Sequence, residues 1–338
     1  MRIDVPTTVD RGRYPGAKTP WERDEWRADA LGWAERALAA HGLRETGTRK
    51  VRLRPWSVLV RLCVEDGRTV WFKANPPGSA FEAGLTEALA RWVPGRVLTP
   101  LAVDAARGWA LLPDGGTLFR DALDAATADA ADPHAWEEPL RQYAAVQRAL
   151  APHVGEIGAL GVPAAPTTAL PDLFDLAVGG NTALEPDERD TLRKLRPRLV
   201  DWCEELAASG IADTLDHSDL HDGQLFAPEQ GRFTFFDWGD ALIGHPFHSF
   251  LIPARAACER FGPAALPRLR DAYLEAWTGD GHTRAELRRA LSLAWRLGAI
   301  GRTGAWERLF PGTADDLGGA GDPEAAYWLR ELAAEPPL

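Results

Sequence analysis

The chain has 338 residues, 45 % of them apolar and 26 % charged, which is enough for two domains or one large bilobal one with a real core. No apolar run approaches the ~18 residues of a membrane span, and the opening MRIDVPTTVDRGRYPGAKTP has no apolar stretch of secretory type. The formal net charge of −11 argues against broad nucleic-acid binding, which needs a basic footprint.

Three scattered cysteines (Cys63, Cys203, Cys258) have no metal-like spacing and read as buried thiols of a reducing cytoplasm. Fourteen Trp against one Met places most Trp in the core and leaves a few for a ligand pocket. Only four of the 38 basic residues are lysine: Lys18, Lys50, Lys73 and Lys194. A coding bias toward arginine accounts for that imbalance. Against it, Lys73 is the lysine set mid-strand on an apolar run, where a compact ammonium and a guanidinium fork are not interchangeable.

In chain order, residues 21–41 read as an amphipathic helix stopped at Gly42. KVRLRP (50–55), SVLVRLCVE (57–65) and RTVWFKA (68–74) are strand-like, with an Asp66-Gly67 hairpin turn between the last two. Asn75-Pro-Pro-Gly breaks the chain, and a helix follows at about 80–92, in FEAGLTEALARWV. RVLTPLAVD and GWALLP are two more strands around Arg107-Gly108. Residues 50–113 therefore form a sheet of about five strands with one helix after the third. Past Pro113-Asp114-Gly115-Gly116 an Ala/Asp-rich stretch (121–135) leads into helical patterns at 137–151, 187–208, 264–277, 284–298 and 322–334. Pro197 should kink the second of these. The expected organisation is α+β: a small sheet-rich N-lobe, residues 1–113, and a larger helical C-lobe, residues 114–338.

One β-like island, 213–238, interrupts the helices. It carries His217, Asp219, His221, Asp222 and Gln224 on a loop, then LFA, a turn at Pro228–Gly231, and FTFF ending at Asp237. A carboxylate at the end of a buried apolar strand either holds a divalent metal or caps the next segment.

These residues resemble the aminoglycoside-phosphotransferase-like branch of the protein-kinase-like fold. The family's His-x-Asp loop with an amide five residues on is similar to His217-Ser-Asp219-Leu-His-Asp-Gly-Gln224. Its metal Asp, one hairpin later, matches Asp237, and its strand lysine and helix glutamate match Lys73 and Glu82. The resemblance covers most of residues 50–255. It implies a bilobal protein-kinase-like fold, ATP and Mg²⁺, and transfer of a phosphoryl group to a hydroxyl of a small molecule. Lys73 would meet the α/β-phosphates and Glu82 would hold it, with Glu87 as the rival partner. Asp219 would take the proton of the attacking hydroxyl. Gln224 and Asp237 would supply oxygen ligands to Mg²⁺. Backbone groups near Ser57 would cover the phosphates in place of a glycine-rich loop, and those near Leu112 and Asp114 would meet adenine.

Gln224 stands where the family usually has Asn. The run His-x-Asp-x-His-x-Gly-Gln resembles the maltokinase and glucosamine-kinase variant, which tilts the acceptor toward a sugar or aminosugar. Acidic residues and Trp of 250–338 would receive a cationic or sugar-like hydroxyl acceptor. His217, His245 and His248 read as structural.

Three alternatives compete. Gly12-Arg-Tyr-Pro-Gly-Ala17-Lys18-Thr19 misses a Walker phosphate loop at Ala17, and no strand precedes it. His217-Ser-Asp219-Leu-His221-Asp222 looks metal-rich, but its order is wrong for a metallohydrolase, and tight zinc would mark one. A nucleotide-binding pseudokinase shares the same fold and is separated only by a transfer assay.

Overall fold

The computed structural model describes residues 8–12, 14–126, 132–309 and 322–338. Arg13 of the Walker-like run and residues 127–131 of the Ala/Asp-rich stretch lie outside the described residues. The chain divides into two compact units. One contains the chain up to Gly116, the short piece Phe236–Gly239 and the segment from Trp306. The other contains Thr117–Phe235, Asp240–Ala305 and the chain from Gly321.

In the first unit, Ala30, Ala34 and Leu38 repeat every fourth residue and form the buried stripe of α1 (Asp24–Ala40). The sheet comes next, as β1 (Glu45–Leu53), β2 (Val58–Val64) and β3 (Thr69–Ala74). Then come α2 (Phe81–Trp92), β4 (Ala102–Asp104) and β5 (Trp109–Pro113). All neighbours pair antiparallel, in the order β1-β2-β3-β5-β4. In β2, Val58, Val60, Leu62 and Val64 are buried and the residues between them half-buried, the period-2 pattern of a one-sided sheet. Phe72 of β3 and Trp109 of β5 pack edge-on against each other, ring centroids 6.0 Å apart, and Trp33 of α1 closes the cluster.

β1 begins earlier than the run KVRLRP suggests. Its polar start hides it: the pairing shifts register between Glu45 and Arg49, where Gly47 has φ +89°. Lys50 is consequently also mid-strand, facing Arg61 of β2, so strand position alone does not set Lys73 apart. Burial does, since Lys50 is exposed and Lys73 buried.

The second unit is mainly helical: α3 (Phe119–Ala125), α4 (Glu137–Leu150), α5 (Val154–Ala159), α6 (Leu170–Gly180) and α7 (Pro186–Ala208). α7 runs through Pro197. After the ribbon strands β6 (Thr214–Asp216), β7 (Leu225–Glu229), β8 (Arg232–Phe235) and β9 (Leu242–Gly244) come α8 (Leu251–Phe261), α9 (Leu266–Glu275) and α10 (Arg284–Thr303). α12 (Asp322–Glu331) also belongs to this unit, whereas α11 (Ala305–Leu309) lies, from Trp306 on, in the first. α10 starts at a capping box: Thr283 Oγ1 accepts the Glu286 N–H at 3.2 Å, and Glu286 accepts the Thr283 N–H at 2.7 Å. β7 and β8 form the hairpin read from the sequence, and β6 pairs antiparallel with β9, beyond the expected island.

The architecture is thus a bilobal α+β arrangement, with an antiparallel N-terminal sheet and a larger helical region. None of the described helices is long and apolar enough to cross a membrane. The three cysteines are free, but only Cys203 is buried, its thiol pushed up to about 12 by that burial. Cys63 occupies an alternate, half-buried position of β2, and Cys258 is half-buried on α8, which corrects the expectation of three buried thiols.

Candidate active site

The first unit gathers three of the expected residues around one ammonium. Lys73 lies on β3 between Leu59 of β2 and Ala110 of β5. Its Nζ donates to Glu82 Oε1 at 2.6 Å and also to Asp237. Burial alone would pull the lysine's pKa down, but the Asp237 and Glu82 carboxylates outweigh it and hold the pKa above its ordinary value. Lys73 is therefore a cation at neutral pH. Glu82 sits in the first turn of α2, while Glu87 further along is exposed and pairs with Arg91 at 3.5 Å.

Glu82 also organises the backbone. Its Oε1 accepts the Trp238 N–H at 2.9 Å, and its Oε2 accepts from the Asn75 amide. A Cβ on Gly239 would lie 3.1 Å from Asn75 Nδ2 and 3.2 Å from Glu82 Oε2, so glycine gives the carboxylate its close cover. Asp237 adopts φ +66°, a left-handed conformation that costs a non-glycine residue about 1–2 kcal/mol. The anchored Trp238 N–H holds that turn, the kind of backbone strain that collects at functional sites. Asn75, read from the sequence only as a chain breaker, is buried and serves as a second clamp on Glu82.

Ser57 is buried just ahead of β2, in the β1–β2 turn, where its carbonyl accepts the Arg54 N–H at 2.9 Å. Leu112 pairs with Trp71 across β3–β5. Asp114, exposed just past β5, accepts the Trp71 indole N–H at 3.2 Å and the Gly116 N–H at 2.9 Å.

The second unit holds the His-x-Asp loop through a buried network of its own. His217 is fully buried; its N–H donates to Tyr143 Oη of α4 at 3.0 Å, and its Nδ1 faces the Asp219 N–H at 3.4 Å. Asp216 accepts the Ser218 N–H at 2.7 Å and the Ser249 hydroxyl at 2.5 Å. Ser249 in turn meets Tyr143 Oη and Gln147 Nε2, both at 3.0 Å. Ser218, at φ +62°, is a second left-handed residue, directly before Asp219. This buried network fixes the loop.

Asp219 is partly exposed. Arg302 Nη2 of α10 lies 3.6 Å from its Oδ1 and His221 Nε2 3.7 Å from its Oδ2. His221 Nδ1 accepts the Gly223 N–H at 3.0 Å and faces the Arg120 guanidinium at 3.0 Å. With both neighbours of Nδ1 being donors, a neutral ring carries its proton on Nε2, toward Asp219. Gln224 is half-buried, and its N–H donates to the His221 carbonyl at 2.9 Å. Among the described residues no group of three or more His, Cys, Asp and Glu side chains is arranged to hold a metal ion. Taken separately, the Asp237 carboxylate in the first unit and the Gln224 side-chain amide in the second each carry an oxygen, the hard kind of donor that suits Mg²⁺.

Arg302 and Ser249 carried no signal in the sequence. An arginine in an arginine-rich chain looks like any other, and each lies tens of residues from the loop it touches.

The family model described as "Phosphotransferase enzyme family" matches residues 51–288, more than two-thirds of the chain. None of the curated proteins compared matches. Among solved structures, the chain is similar to the macrolide 2'-phosphotransferase MphH from Brachybacterium faecium, at 19 % identity and TM-score 0.56, covering 91 % of this chain and 99 % of that one. It is similar to a choline/ethanolamine kinase family protein from Mesorhizobium loti at 16 % identity and TM-score 0.57, covering 90 % and 95 %. APH(2")-IIia, in its complex with GDP and kanamycin, aligns at 16 % identity and TM-score 0.54, covering 89 % and 98 %. At these identities the structures speak for the fold, and the family match speaks for kinship: the chain belongs to the phosphotransferase enzyme family.

Proposed function

We propose that the protein transfers the γ-phosphoryl group of ATP to a hydroxyl of a small, sugar-like molecule. The observation that supports this reading best is the buried Lys73 ammonium shared by Glu82 and Asp237. A charge buried at this cost needs a task, and phosphoryl transfer consists largely of positioning and neutralising phosphate charge. Lys73 meets the α/β-phosphates, Glu82 and Asn75 keep it aimed, and backbone groups at Leu112 and Asp114 receive adenine. The N–H groups at Ser57 cover the phosphates.

Asp219 accepts the proton of the acceptor hydroxyl as its oxygen attacks the γ-phosphorus. The bond from that phosphorus to the β,γ-bridging oxygen breaks, and ADP leaves with the electron pair. His221 and Arg302 hold the Asp219 carboxylate in place by charge and N–H direction. Asp237 and Gln224 are the residues that would hold Mg²⁺, which when bound neutralises phosphate charge. The Gln224 pattern, resembling the maltokinase and glucosamine-kinase variant, supports a sugar-like acceptor.

Calorimetric titration with Mg-ATP tests the assignment. Lys73→Ala should abolish binding while Lys18→Ala leaves it unchanged. Loss of binding only in Lys18→Ala would move the nucleotide to the Walker-like run and overturn the reading.

A further inference from the structure

A cavity of about 630 Å³ opens in the second unit beside the His-x-Asp loop. Its size suits a small-molecule ligand. One wall is a single face of α8: Ile252, Arg255, Ala256, Glu259 and Arg260 recur at helical spacing. Arg120, His221 and Asp222 form a second wall, and Tyr327 and Trp328 of α12 a third. The sequence pattern predicts acidic residues and Trp here, ready for a cation. The Trp is present, but three guanidinium groups line the cavity against two carboxylates.

The two carboxylates are not equivalent. Asp222 is already spent: Arg120 Nε donates to its Oδ1 at 2.6 Å and Arg260 Nη2 to its Oδ2 at 3.3 Å. Glu259 is left as the one lining carboxylate without an ion pair among the described residues. The arginines have outer partners as well. Arg260 bonds Asp124 at 2.7 Å, and Arg255 bonds Tyr327 and Glu331. Those contacts fix the guanidinium groups without using all their donors: Arg255 gives one bond from each Nη, and each Nη carries a second N–H.

The arginine wall is also tied to the reacting end. Arg255 and Arg302 both lie over the Trp328 ring, at 5.0 and 4.7 Å from its centroid, and Arg302 approaches Asp219. A polyamine placed here would face three fixed guanidinium groups and find one uncommitted carboxylate. An anion would find preorganised forks of the geometry that binds carboxylate and phosphate bidentately.

We propose that the acceptor is a hydroxylated molecule bearing a carboxylate or phosphate group, held by Arg255 and Arg260 with Arg120 at the rim, while its hydroxyl faces Asp219. This rests on the phosphotransferase reading above. Tyr327, exposed at the rim, offers a ring face for the acceptor's body.

The test is calorimetry on the full chain saturated with Mg-ADP, using four pyranoses as probes: glucose, glucosamine, glucuronate and glucose 6-phosphate. At least one anionic sugar should bind about tenfold or more tighter than glucose, the scale of a hydrogen bond to a charged group. Which of the two gains decides between carboxylate and phosphate. Glucosamine should bind no tighter than glucose. Arg260→Gln should erase the anion's advantage, and Glu259→Gln should leave it or enhance it. Glucosamine binding more tightly than both anions would overturn the proposal. So would an absence of any anion advantage, or a weakening in Glu259→Gln. The Mg-ADP titration that precedes each run doubles as the folding check on the variants. Failure at that step in the unmodified protein counts against the nucleotide reading and not against the arginine wall.

Discussion

Replacing Glu82 by glutamine removes one charge and almost no volume. The wild-type carboxylate accepts from three donors: Lys73 Nζ, the Trp238 N–H and the Asn75 amide. A glutamine amide must turn an NH₂ toward one of them. Asn75 offers relief, because its Oδ1 is buried without a partner and can be flipped to accept. The flip gives up its 3.3 Å bond to the Ser79 carbonyl. Removing one partner of a buried pair typically costs 3–5 kcal/mol when it strands the other charge. Lys73 keeps Asp237, so the loss in Glu82→Gln should be smaller, about 2 kcal/mol by urea unfolding. The functional loss is larger in kind: the ammonium is drawn wholly to Asp237 and no longer held toward the phosphates. Mg-ATP affinity by calorimetry should fall about 10–100-fold, equivalent to roughly 1.4–2.8 kcal/mol. A double cycle with Asp237→Asn should show coupling, since both carboxylates act on one cation. Affinity within twofold of wild type, with no coupling, would refute the idea that Glu82 aims Lys73.

Three further outcomes are expected. His248 is buried and its pKa lowered to about 4, because burial penalises the imidazolium more than Asp216 favours it. Between pH 6.5 and 4 the unfolded chain therefore binds a proton the folded chain does not, and stability falls as pH falls by up to about 3 kcal/mol. His248→Gln should flatten that slope in denaturant melts, leaving the part due to His245, which burial also lowers; an unchanged slope would count against it. Tyr143→Phe removes the hydroxyl that accepts the His217 N–H and leaves Ser249 only Asp216 and Gln147 of its three partners, and should cost about 1–3 kcal/mol of stability. It should also slow phosphoryl transfer while leaving the Mg-ATP affinity within twofold, which competitive titration reads directly. Gly108 has φ +67°, and a Cβ there would come within 2.7 Å of Ala80 Cα, the residue before α2. Gly108→Ala should lose about 2–4 kcal/mol from backbone strain and overpacking, and weaken Mg-ATP by displacing the Glu82 turn.

The elements that bear on function differ in how far local sequence reveals them. β2 and β3 are legible because apolar residues alternate around Asp66-Gly67, and α2 because Leu85 and Leu89 keep helical spacing. β1 is longer than its apolar run, since the residues before Lys50 are polar and paired across an irregular register. Lys73 stood out against an arginine background, but Lys50 shares its strand setting, and the tertiary fact of burial separates them. Asn75 looked like punctuation before two prolines, and its role appears only when α2 folds back onto it. Arg302, Tyr143 and Ser249 reach the His-x-Asp loop from three different helical segments, and no spacing rule connects them. The charge of the acceptor cavity was also illegible. The overall acidity of the chain is a sum over its surface, whereas one face of α8 collects two of the three lining arginines.

The central claim, that this fold moves a phosphoryl group to a hydroxyl, is tested most directly by ³¹P spectroscopy of ATP, Mg²⁺ and a hydroxylated acceptor panel spanning anionic sugars, hexosamines, aminoglycosides and macrolides. Wild-type protein should convert ATP to ADP together with a new phosphomonoester resonance, and Asp219→Asn should lose that resonance while still binding Mg-ATP. Full transfer by Asp219→Asn, or the absence of any phosphomonoester from wild type with Mg²⁺ or Mn²⁺ across the panel, would contradict the account and leave a nucleotide-binding pseudokinase in its place.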